Sequence, residues 1–489
     1  MPAIAANPNV IIVITDDQGY GDLGCHGNPV AQTPHLDHLH AESVRFVDFH
    51  AAPMCTPTRG QLLTGLDAAR NGAVNVSSGR SLLRADLPTN APHAPLWVPA
   101  EDRDAMGTAF AAGAHTLQKV DPAHRDRIVR FLAMIRNVDA HVGHLRDFLR
   151  AEQIDRNTIL VFMTDNGSTF GPLYYNAGMR GAKCSLWEGG HRVPCFVHWP
   201  DGGLGKPRDI GGLTQVQDIL PTLIDLCEMK KADSKPLDGI SLADVLRSKE
   251  SVPEDRILPV NYSRMPIGDY PTPDSRSVMR REGAAVMWKR WRLLEGTALY
   301  NLDNDPLQEH NVIEAYPEIR RRLLDALDNW WRGVESAANQ VQRITIGNDK
   351  ENPMTLSACE WRDVFVDQQR QVRIAERKNS YWHLEVDQAG EYQFELRRWP
   401  RESGLALGDA CPAVEVTDGV LEEGIALPIA RARLTIGRQE RSLSVEPGQQ
   451  VASFRVQLEP GPTLLHTWFD DAGNQPICGA YYVYVSRIV

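Results

Sequence analysis

The sequence predicts an α/β domain, built on a mostly parallel sheet sandwiched by helices, followed by a C-terminal all-β sandwich domain. The α/β domain is indicated by an apolar run that ends in two carboxylates, Asn9–Asp17, and by a helical repeat with a second such run at 127–166. The all-β domain is indicated by period-two alternation from about residue 344. Alternating helices and buried strands are typical of parallel sheets, and short alternating strands are typical of sandwiches.

Composition is that of an ordinary globular protein. Of 489 residues, 42% are hydrophobic, and 52 Lys+Arg against 63 Asp+Glu give a net charge of −11. This acidic balance, with no basic cluster, predicts a protein that does not bind nucleic acid. Because no early apolar run is long enough for a bilayer span or a signal peptide, we expect no membrane partner and a cytoplasmic protein as given. A trimmed N-terminus would instead allow a periplasmic or secreted protein.

The first element is a strand. The run Asn9–Ile14 is β-branched and continuous, which predicts a strand buried on both faces. Asp16 and Asp17 follow it, at the carboxyl end of the sheet where open α/β folds bind ligands.

A second unit repeats this arrangement. Arg127–Arg150 has apolar residues at helical spacing, and Thr158–Met163 is a second apolar run that ends before Asp165 and Asn166. The order is therefore helix, buried strand, acidic turn. Two further elements are predicted on similar grounds, a strand at Val193–Trp199 and a helix that begins within Asp218–Leu226.

The C-terminal part differs in pattern. Alternating apolar residues predict short strands without helices, and the preceding helix is expected to end at Trp330–Trp331. We therefore expect the α/β domain at 1–336 and the β domain at 345–489. Half of the aromatic residues should be core, and carbohydrate stacking by the others is the minority interpretation. The aromatic residues concerned are Trp382, Tyr392, Phe394, Trp399 and those of Tyr481–Tyr484.

The two acidic turns predict a metal site. Asp16, Asp17, Asp165 and Asn166 offer hard oxygen ligands suited to Ca²⁺ or Mg²⁺. Taken singly, such turns are more often solvated loops or helix caps. The eight cysteines include no C-x-x-C pair, and neither a disulfide framework nor a softer metal site is expected.

The segment Cys55–Gly65 carries the most specific signal. From the residues alone, Cys55 lies at a turn before a short helix, either as an activated thiolate or as a small buried side chain. Its Cys-x-Pro-x-Arg followed by Leu-Thr-Gly resembles the signature of type I sulfatases, of the alkaline-phosphatase superfamily. There the cysteine is oxidised to formylglycine by a formylglycine-generating enzyme. The family usually has Ser where Thr58 stands.

The resemblance covers residues 8 to 332, and the β domain is similar to C-terminal modules of some bacterial sulfatases. Five segments match family motifs in order: Asp16–Asp22, Pro92–Pro95, Thr164–Gly167, Arg180–Lys183 with Glu188–Pro194, and Leu299–Pro306. An alkaline-phosphatase-like fold is thereby implied.

The same resemblance implies hydrolysis of an aryl or carbohydrate sulfate ester. A formylglycine hydrate at position 55 would attack sulfur and later expel sulfate. The implied metal is Ca²⁺, with Mg²⁺ as the alternative, and the implied substrate is a sulfated small molecule or glycan. Each implied role falls on a named residue: metal binding by Asp16, Asp17, residue 55, Asp165 and Asn166; stabilisation of the hydrate by Arg59; sulfate binding by Lys183; and protonation of the leaving oxygen or sulfate binding by His93.

One part of the family pattern is absent. Only 93 − 55 = 38 positions separate Cys55 from His93, whereas the family interval is much longer and contains a Gly-Lys-Trp-His motif that this sequence lacks. We therefore predict an internal segment lost near 83–92, with the junction between two Leu-Pro-Thr stretches within Leu82–His93. Loss of the motif's two cationic side chains predicts impaired activity.

Two other functions stay open at this point. A phosphodiesterase or phosphonate monoester hydrolase of the same superfamily would share the fold and formylglycine. A catalytically dead remnant that binds anions or glycans would instead keep Cys55 unmodified. Turnover of aryl phosphodiesters and the chemical state of residue 55 distinguish these functions from a sulfatase.

Overall fold

The computed structural model describes residues 8–74, 91–113, 120–230, 236–262, 279–338, 340–362, 364 and 366–488. These residues form two compact units, one up to residue 338 and the other from residue 340 onward. Residues 82–90 of the predicted junction, Leu82–His93, lie outside the described residues. In the described part of the chain, none of the helices is both long and apolar enough to cross a bilayer.

The first unit is α/β, as predicted. Its strands are β1 (Asn9–Thr15), β2 (Val44–Phe46), β3 (Phe49–His50), β4 (Thr158–Thr164), β5 (Cys195–His198), β6 (Arg208–Ile210), β7 (Thr214–Gln215), β8 (Ile257–Asn261), β9 (Ala284–Trp288), β10 (Trp291–Leu294) and β11 (Ala298–Asn301). Its helices are α1 (Pro34–Glu42), α2 (Cys55–Thr64), α3 (Ala68–Asn71), α4 (Ala100–Ala112), α5 (Pro122–Ala151), α6 (Glu188–His191), α7 (Ile219–Leu226), α8 (Ala243–Leu246) and α9 (Pro317–Ala338).

The main sheet has the order β1-β4-β5-β2-β6, and β5 alone of these five strands runs antiparallel to its neighbours. The mostly parallel sheet is therefore confirmed. The pairing of β1 with β4 is in register from Asn9 opposite Thr158 to Thr15 opposite Thr164. Both strands consequently end at the same level, which brings the two acidic turns together.

The expected burial is found for β4 but not for β1. All seven residues of β4 are buried, whereas residues 9 to 14 of β1 are exposed or half-buried, and Val10 is 40% exposed. Within the described residues β1 pairs with β4 alone, so it forms an edge of the sheet. The prediction that β1 is buried on both faces was wrong, because a run of β-branched residues does not distinguish an edge strand from a central one.

Helices cover both faces of this sheet. Alternate residues of β4 enter two different cores: Ile159 and Val161 pack in the core that contains α7, and Leu160 and Phe162 pack in the core that contains α1 and part of α5. The long helix α5 confirms the predicted helix and begins five residues earlier, where Asp121 caps it by accepting from the Ala123 N–H at 2.9 Å.

A second, antiparallel sheet has the order β11-β10-β9-β8 and packs against α9 through Leu323 and Leu327. The sequence predicts that this helix ends at Trp330–Trp331, but α9 continues to Ala338. The additional turns bury Val334 and Ala338 against Ala69 of α3. Tertiary packing therefore extends the helix beyond its tryptophan pair.

The second unit is the predicted β-sandwich. Its strands are β12 (Ile344–Ile346), β13 (Met354–Ser357), β14 (Tyr381–Val386), β15 (Gly390–Arg397), β16 (Val414–Val416), β17 (Gly419–Leu421), β18 (Arg431–Ile436), β19 (Gln439–Ser444), β20 (Ala452–Leu458), β21 (Gly461–Asp470), β22 (Pro476–Cys478) and β23 (Tyr482–Ile488). They form one sheet ordered β12-β14-β21-β18-β19, with β22 beside β21, a second sheet ordered β13-β23-β15-β20, and a separate hairpin, β16 with β17. A short helix, α10 (Gln369–Arg373), was not expected.

The sandwich core contains the aromatic residues considered for carbohydrate stacking. Trp382, Tyr392 and Phe394 are completely buried, Trp399 is 4% exposed, and Tyr481 is 1% exposed. For these five residues the minority interpretation was wrong, because each of them lies in the interior of the sandwich.

Candidate active site

Two acidic turns meet where β1 and β4 end. The backbone N–H of Asp17 donates to Asp165 Oδ1 at 3.1 Å, and Asn166 Nδ2 donates to Asp17 Oδ1 at 3.1 Å. All of these side chains, and that of Asp16, are buried. The parallel pairing of the two strands therefore produces one compact set of oxygen atoms from residues 148 or more positions apart.

The backbone of both turns is constrained by close packing. Asp17 has a φ of 67°, in the left-handed region that non-glycine residues rarely adopt. Gly167 donates its N–H to the Gly190 carbonyl at 2.9 Å, and a Cβ on Gly167 would lie 1.8 Å from the Gly189 oxygen. The turn after β4 must therefore carry glycine at this position.

Helix α2 brings Cys55 and Arg59 to the same oxygens. Cys55 is its first residue and Arg59 lies one turn later, with Arg59 Nη2 donating to Asp16 Oδ2 and to Asp165 Oδ2, both at 3.1 Å. The Cys55 sulfur and carboxylate oxygens of Asp16 and Asp165 lie within 4.8 Å of one another. The helix thus places a half-buried thiol at the edge of the acidic set.

The Thr58 hydroxyl holds the loop before Cys55. It accepts from the Ala52 N–H at 2.9 Å and lies 3.2 Å from the Ala52 carbonyl, to which it can donate. Serine offers the same donor and acceptor, which explains how threonine can stand at this position.

The hydrogen bonds of the Thr58 hydroxyl can be tested by substitution. We expect Thr58→Val to lower the free energy of unfolding by about 1 to 3 kcal/mol, because it leaves the buried Ala52 N–H and carbonyl unpaired. Thr58→Ser should change it by less than about 1 kcal/mol. Urea denaturation followed by circular dichroism measures both values, and equal stability of the two variants would contradict a role for the hydroxyl.

Lys183 and His93 complete the cluster. Lys183 Nζ forms an ion pair with Asp17 Oδ1, and His93 Nε2 lies 3.7 Å from Asp17 Oδ2. His93 Nδ1 lies 2.6 Å from the Ala94 carbonyl, so this nitrogen carries the hydrogen and Nε2 faces the carboxylate. The structure therefore brings together all eight residues that the sequence analysis selected.

The charges of this cluster are unbalanced. Burial, together with the charge of Asp16, raises the pKa of Asp165 well above its usual range, and burial and Asp17 raise the pKa of Asp16. Burial raises the pKa of the Cys55 thiol to about 12. For Asp17, burial is outweighed by Lys183, and its pKa is lowered. Three desolvated carboxylates this close together favour the binding of a further positive charge.

Two buried oxygens indicate where such a charge belongs. Asp16 Oδ1 and Asn166 Oδ1 are shielded from solvent, and neither has a hydrogen-bond partner among the residues that the structure describes. Buried polar atoms are rarely left unpaired, and oxygens that point into an acidic set fit a hard divalent cation. The donor set therefore fits the metal site that the sequence predicted.

A second buried network lies between the segments that carry Cys55 and Lys183, and sequence analysis did not find it. Arg292 Nε donates to Glu188 Oε2 at 2.8 Å, and Arg292 Nη2 donates to Asp48 Oδ1 at 3.2 Å. His50 belongs to the same network: its Nε2 lies 3.0 Å from Asp48 Oδ1, and its Nδ1 lies 2.9 Å from His191 Nδ1. The members of the network come from three separate segments, 48–50, 188–191 and Arg292, so no local motif could have revealed it.

This network connects the two halves of the site. Strand β3 leads to Cys55, helix α6 follows Lys183, and the Ala51 N–H donates to the His191 carbonyl at 2.8 Å. Arg292 outweighs the effect of burial on Glu188 and holds the pKa of that carboxyl well below its usual range. The charged network therefore fixes the position of the loop before Cys55 relative to the segment that carries Lys183.

Comparison with known proteins gives a consistent result. The family model described as Sulfatase matches residues 8–89 and 85–229. Arylsulfatase G of Mus musculus is 26% identical over 372 residues, which covers 51% of this chain and 70% of that protein. Arylsulfatase A of Homo sapiens is 49% identical over 71 residues, 14% of each chain. The two matched stretches of the family model overlap at residues 85–89; the loss of a segment near 83–92 stays a prediction.

Solved structures show the same fold. The crystal structure of Ps i-CgsB in complex with k-i-k-neocarrahexaose has a TM-score of 0.55 and 19% identity, and the match covers 68% of this chain and 94% of that one. At this identity the likeness concerns the fold, which is that of sulfatases with an α/β part and a C-terminal β domain.

Proposed function

Since this chain belongs to the sulfatase family, we propose that its α/β unit hydrolyses a sulfate ester, of an aryl alcohol or of a carbohydrate, as a sulfuric ester hydrolase. One observation carries most weight: Cys55 begins α2 within 4.8 Å of two buried carboxylates, beside Arg59. A nucleophile at a metal site with cationic neighbours is the arrangement that transfer of a negatively charged group requires.

Sulfatases generally use a metal ion and a formylglycine. Here Asp16, Asp17, Asp165 and Asn166, with residue 55, would hold the metal, and Ca²⁺ suits them better than Mg²⁺ because Ca²⁺ takes many protein oxygens in flexible geometry. When bound, the metal would polarise the sulfuryl group and acidify the hydroxyl that it binds. The buried Oδ1 atoms of Asp16 and Asn166, which lack a hydrogen-bond partner within the described ranges, support this assignment.

Four residues of the chain would carry out the other steps of the reaction. Residue 55, once converted to formylglycine, would supply the hydrated aldehyde as the nucleophile. Arg59, one turn along α2, orients and stabilises the hydrate, and the Lys183 ammonium binds a sulfuryl oxygen. His93 has its Nδ1 hydrogen held by the Ala94 carbonyl. In the imidazolium form of His93, Nε2 would carry the second proton and would deliver it to the departing alcohol oxygen, which leaves the ring neutral with its hydrogen on Nδ1.

Activity should be lower than that of sulfatases with the Gly-Lys-Trp-His motif. Among the described residues, the cations paired with the acidic set are Arg59 and Lys183, with His93 beside them. Removal of one charge clamp or general base commonly lowers a rate by ~10² to 10⁴. We therefore propose an enzyme with reduced turnover rather than a remnant without catalysis.

Metal binding can be tested without turnover. We expect Asp165→Asn to weaken Ca²⁺ binding by at least about 10²-fold, because the substitution removes one of three carboxylate charges from a buried site. Asp209→Asn, which changes an exposed carboxylate paired with Arg45, should bind Ca²⁺ as the unchanged protein does. Calorimetric titration with Ca²⁺ and then Mg²⁺ measures both affinities, and tighter binding of Mg²⁺ would overturn the choice of metal.

The function itself is tested by substrate preference. The protein is co-expressed with a formylglycine-generating enzyme, supplied with Ca²⁺, and assayed on a chromogenic aryl sulfate and on the matching aryl phosphodiester. A larger kcat/KM for the sulfate supports a sulfatase, and a larger value for the phosphodiester identifies the phosphodiesterase alternative. Folded protein that carries formylglycine at position 55 and turns over neither substrate would refute the proposal for aryl esters, and a panel of sulfated mono- and oligosaccharides then tests carbohydrate sulfates.

A further inference from the structure

A cluster of softer ligands lies outside the acidic site. Cys25 and His26 belong to the 3₁₀ turn Gly24–His26, and His40 belongs to α1. The Cys25 sulfur and one ring nitrogen of each histidine lie within 4.8 Å of one another. All three side chains are half-buried, so the cluster is partly accessible to solvent. We refer to Cys25, His26 and His40 as the thiol–imidazole cluster.

His26 is held with one nitrogen free. Its Nδ1 lies 2.7 Å from the Tyr20 carbonyl, which can only accept, so Nδ1 carries the hydrogen and Nε2 keeps its lone pair. The ring stacks on Tyr20, with centroids 3.8 Å apart. A histidine that ligates a metal usually donates its other N–H to a carbonyl or carboxylate in this way.

Both imidazoles are suited to ligation at neutral pH. Burial lowers the pKa of His26 to about 4 and lowers the pKa of His40, so both rings are uncharged there. The His40 ring packs edge-on against His26, with centroids 5.5 Å apart, and against Phe196 at 5.0 Å. In the described part of the chain the His40 ring makes no hydrogen bond. Its lone pair therefore remains available beside the sulfur.

Asp37 supplies the charge balance. Its Oδ1 accepts from the Cys25 N–H at 2.8 Å and from Thr33 Oγ1 at 2.9 Å. Burial and the Asp37 charge raise the pKa of the Cys25 thiol, which thus stays protonated without a cation. A divalent ion would compensate both one thiolate and the Asp37 carboxylate, leaving the group neutral.

We propose that Cys25, His26 and His40 bind a borderline-soft divalent cation of the Zn²⁺ class. Binding replaces the thiol proton, which is released to solvent, and forms one metal–sulfur and two metal–nitrogen bonds with no change of oxidation state. One thiolate and two imidazoles are ligands that Zn²⁺ prefers and Ca²⁺ does not. The bound ion would fasten the turn that follows Asp16–Asp22 to α1.

The spacing of the cysteines did not indicate this site, because His40 comes from a helix fourteen positions after His26. Another group of possible ligands, His50, Glu188 and His191, is less suited to a cation. Both Glu188 oxygens there accept from Arg292, at 2.8 and 3.1 Å. A second cation beside that guanidinium would be repelled.

The test uses Co²⁺ as a spectroscopic substitute for Zn²⁺, added to protein saturated with Ca²⁺. A thiolate-to-cobalt charge-transfer band should form with one equivalent in the unchanged protein and in Cys55→Ala, which removes the thiol of the acidic site. We expect Cys25→Ala and His40→Ala to abolish the band or to weaken binding by at least about 10²-fold. His38→Ala, on the same helix and largely exposed, should leave the band unchanged.

A second measurement needs no variant. Zn²⁺ should protect Cys25 from alkylation, followed by peptide mass spectrometry, while the half-buried Cys227 reacts at the same rate with and without the ion. A band that survives in Cys25→Ala, or an unprotected Cys25 at saturating Zn²⁺, would overturn the proposal. Neither measurement depends on sulfate ester turnover.

Discussion

Cys55→Ala is expected to abolish sulfate ester hydrolysis, with kcat lowered by on the order of 10⁴-fold or more. The methyl group of alanine cannot be oxidised to the aldehyde. Cys55→Ala therefore lacks the hydrated aldehyde that would attack sulfur and later expel sulfate. The carboxylates of Asp16 and Asp165 and the side chain of Arg59 would remain in place, because the hydrogen bonds between them do not involve the Cys55 sulfur.

The measurement compares the unchanged protein with Cys55→Ala after co-expression with a formylglycine-generating enzyme. Mass spectrometry of the peptide that spans residue 55 establishes conversion in the unchanged protein. Cys227→Ala serves as the matched control, since Cys227 is another half-buried thiol and packs beside the core that contains α7. Turnover by Cys55→Ala within tenfold of the control would show that this residue is not the nucleophile.

Arg292→Met is expected to lower the free energy of unfolding by about 3 to 5 kcal/mol. Removing one partner of a buried ion pair leaves the other charge uncompensated. Arg292 is completely buried and bonds to Glu188 and Asp48, which are also buried. The substitution should also lower activity, because the network holds the loop before Cys55 against helix α6.

Guanidinium denaturation, followed by the fluorescence of the buried tryptophans, gives this free energy. Arg290→Met provides the comparison: Arg290 is 37% exposed and lies 3.6 Å from Asp48 Oδ2, so its removal should cost less than about 1 kcal/mol. Similar losses in the two variants would mean that Arg292 contributes as a surface charge does, and that the buried network is not what stabilises the site.

Much of the fold follows from local patterns. Helix α5, strand β4 and the alternating strands of the sandwich were predicted, because each repeats a period that only one kind of element satisfies. The patterns were least reliable where an element depends on its neighbours. Strand β1 has the composition of a central strand but lies at an edge, and α9 continues past Trp331 because Val334 and Ala338 find partners in other segments.

The aromatic residues of the sandwich show the same limit. Period-two alternation predicts two faces for each strand, but it does not show which face packs in the core. The structure places five of the aromatic residues in the interior: Trp382, Tyr392, Phe394, Trp399 and Tyr481. The thiol–imidazole cluster is a related case, since Cys25 and His40 lie in different elements. When metal ligands come from separate elements, their spacing in the sequence is not fixed, and no sequence motif identifies them.

The sequence by itself determined the class of the fold, the presence of its longest elements and the choice of the eight side chains of the acidic site. These depend on local periodicity and on short motifs, both of which are properties of consecutive residues. Only the tertiary structure decided that the two acidic turns share one set of oxygens, that Arg292 pairs with both Glu188 and Asp48, and that Cys25 approaches His40. Those contacts join residues distant in the chain, and their energies depend on burial and on partners that no local segment contains.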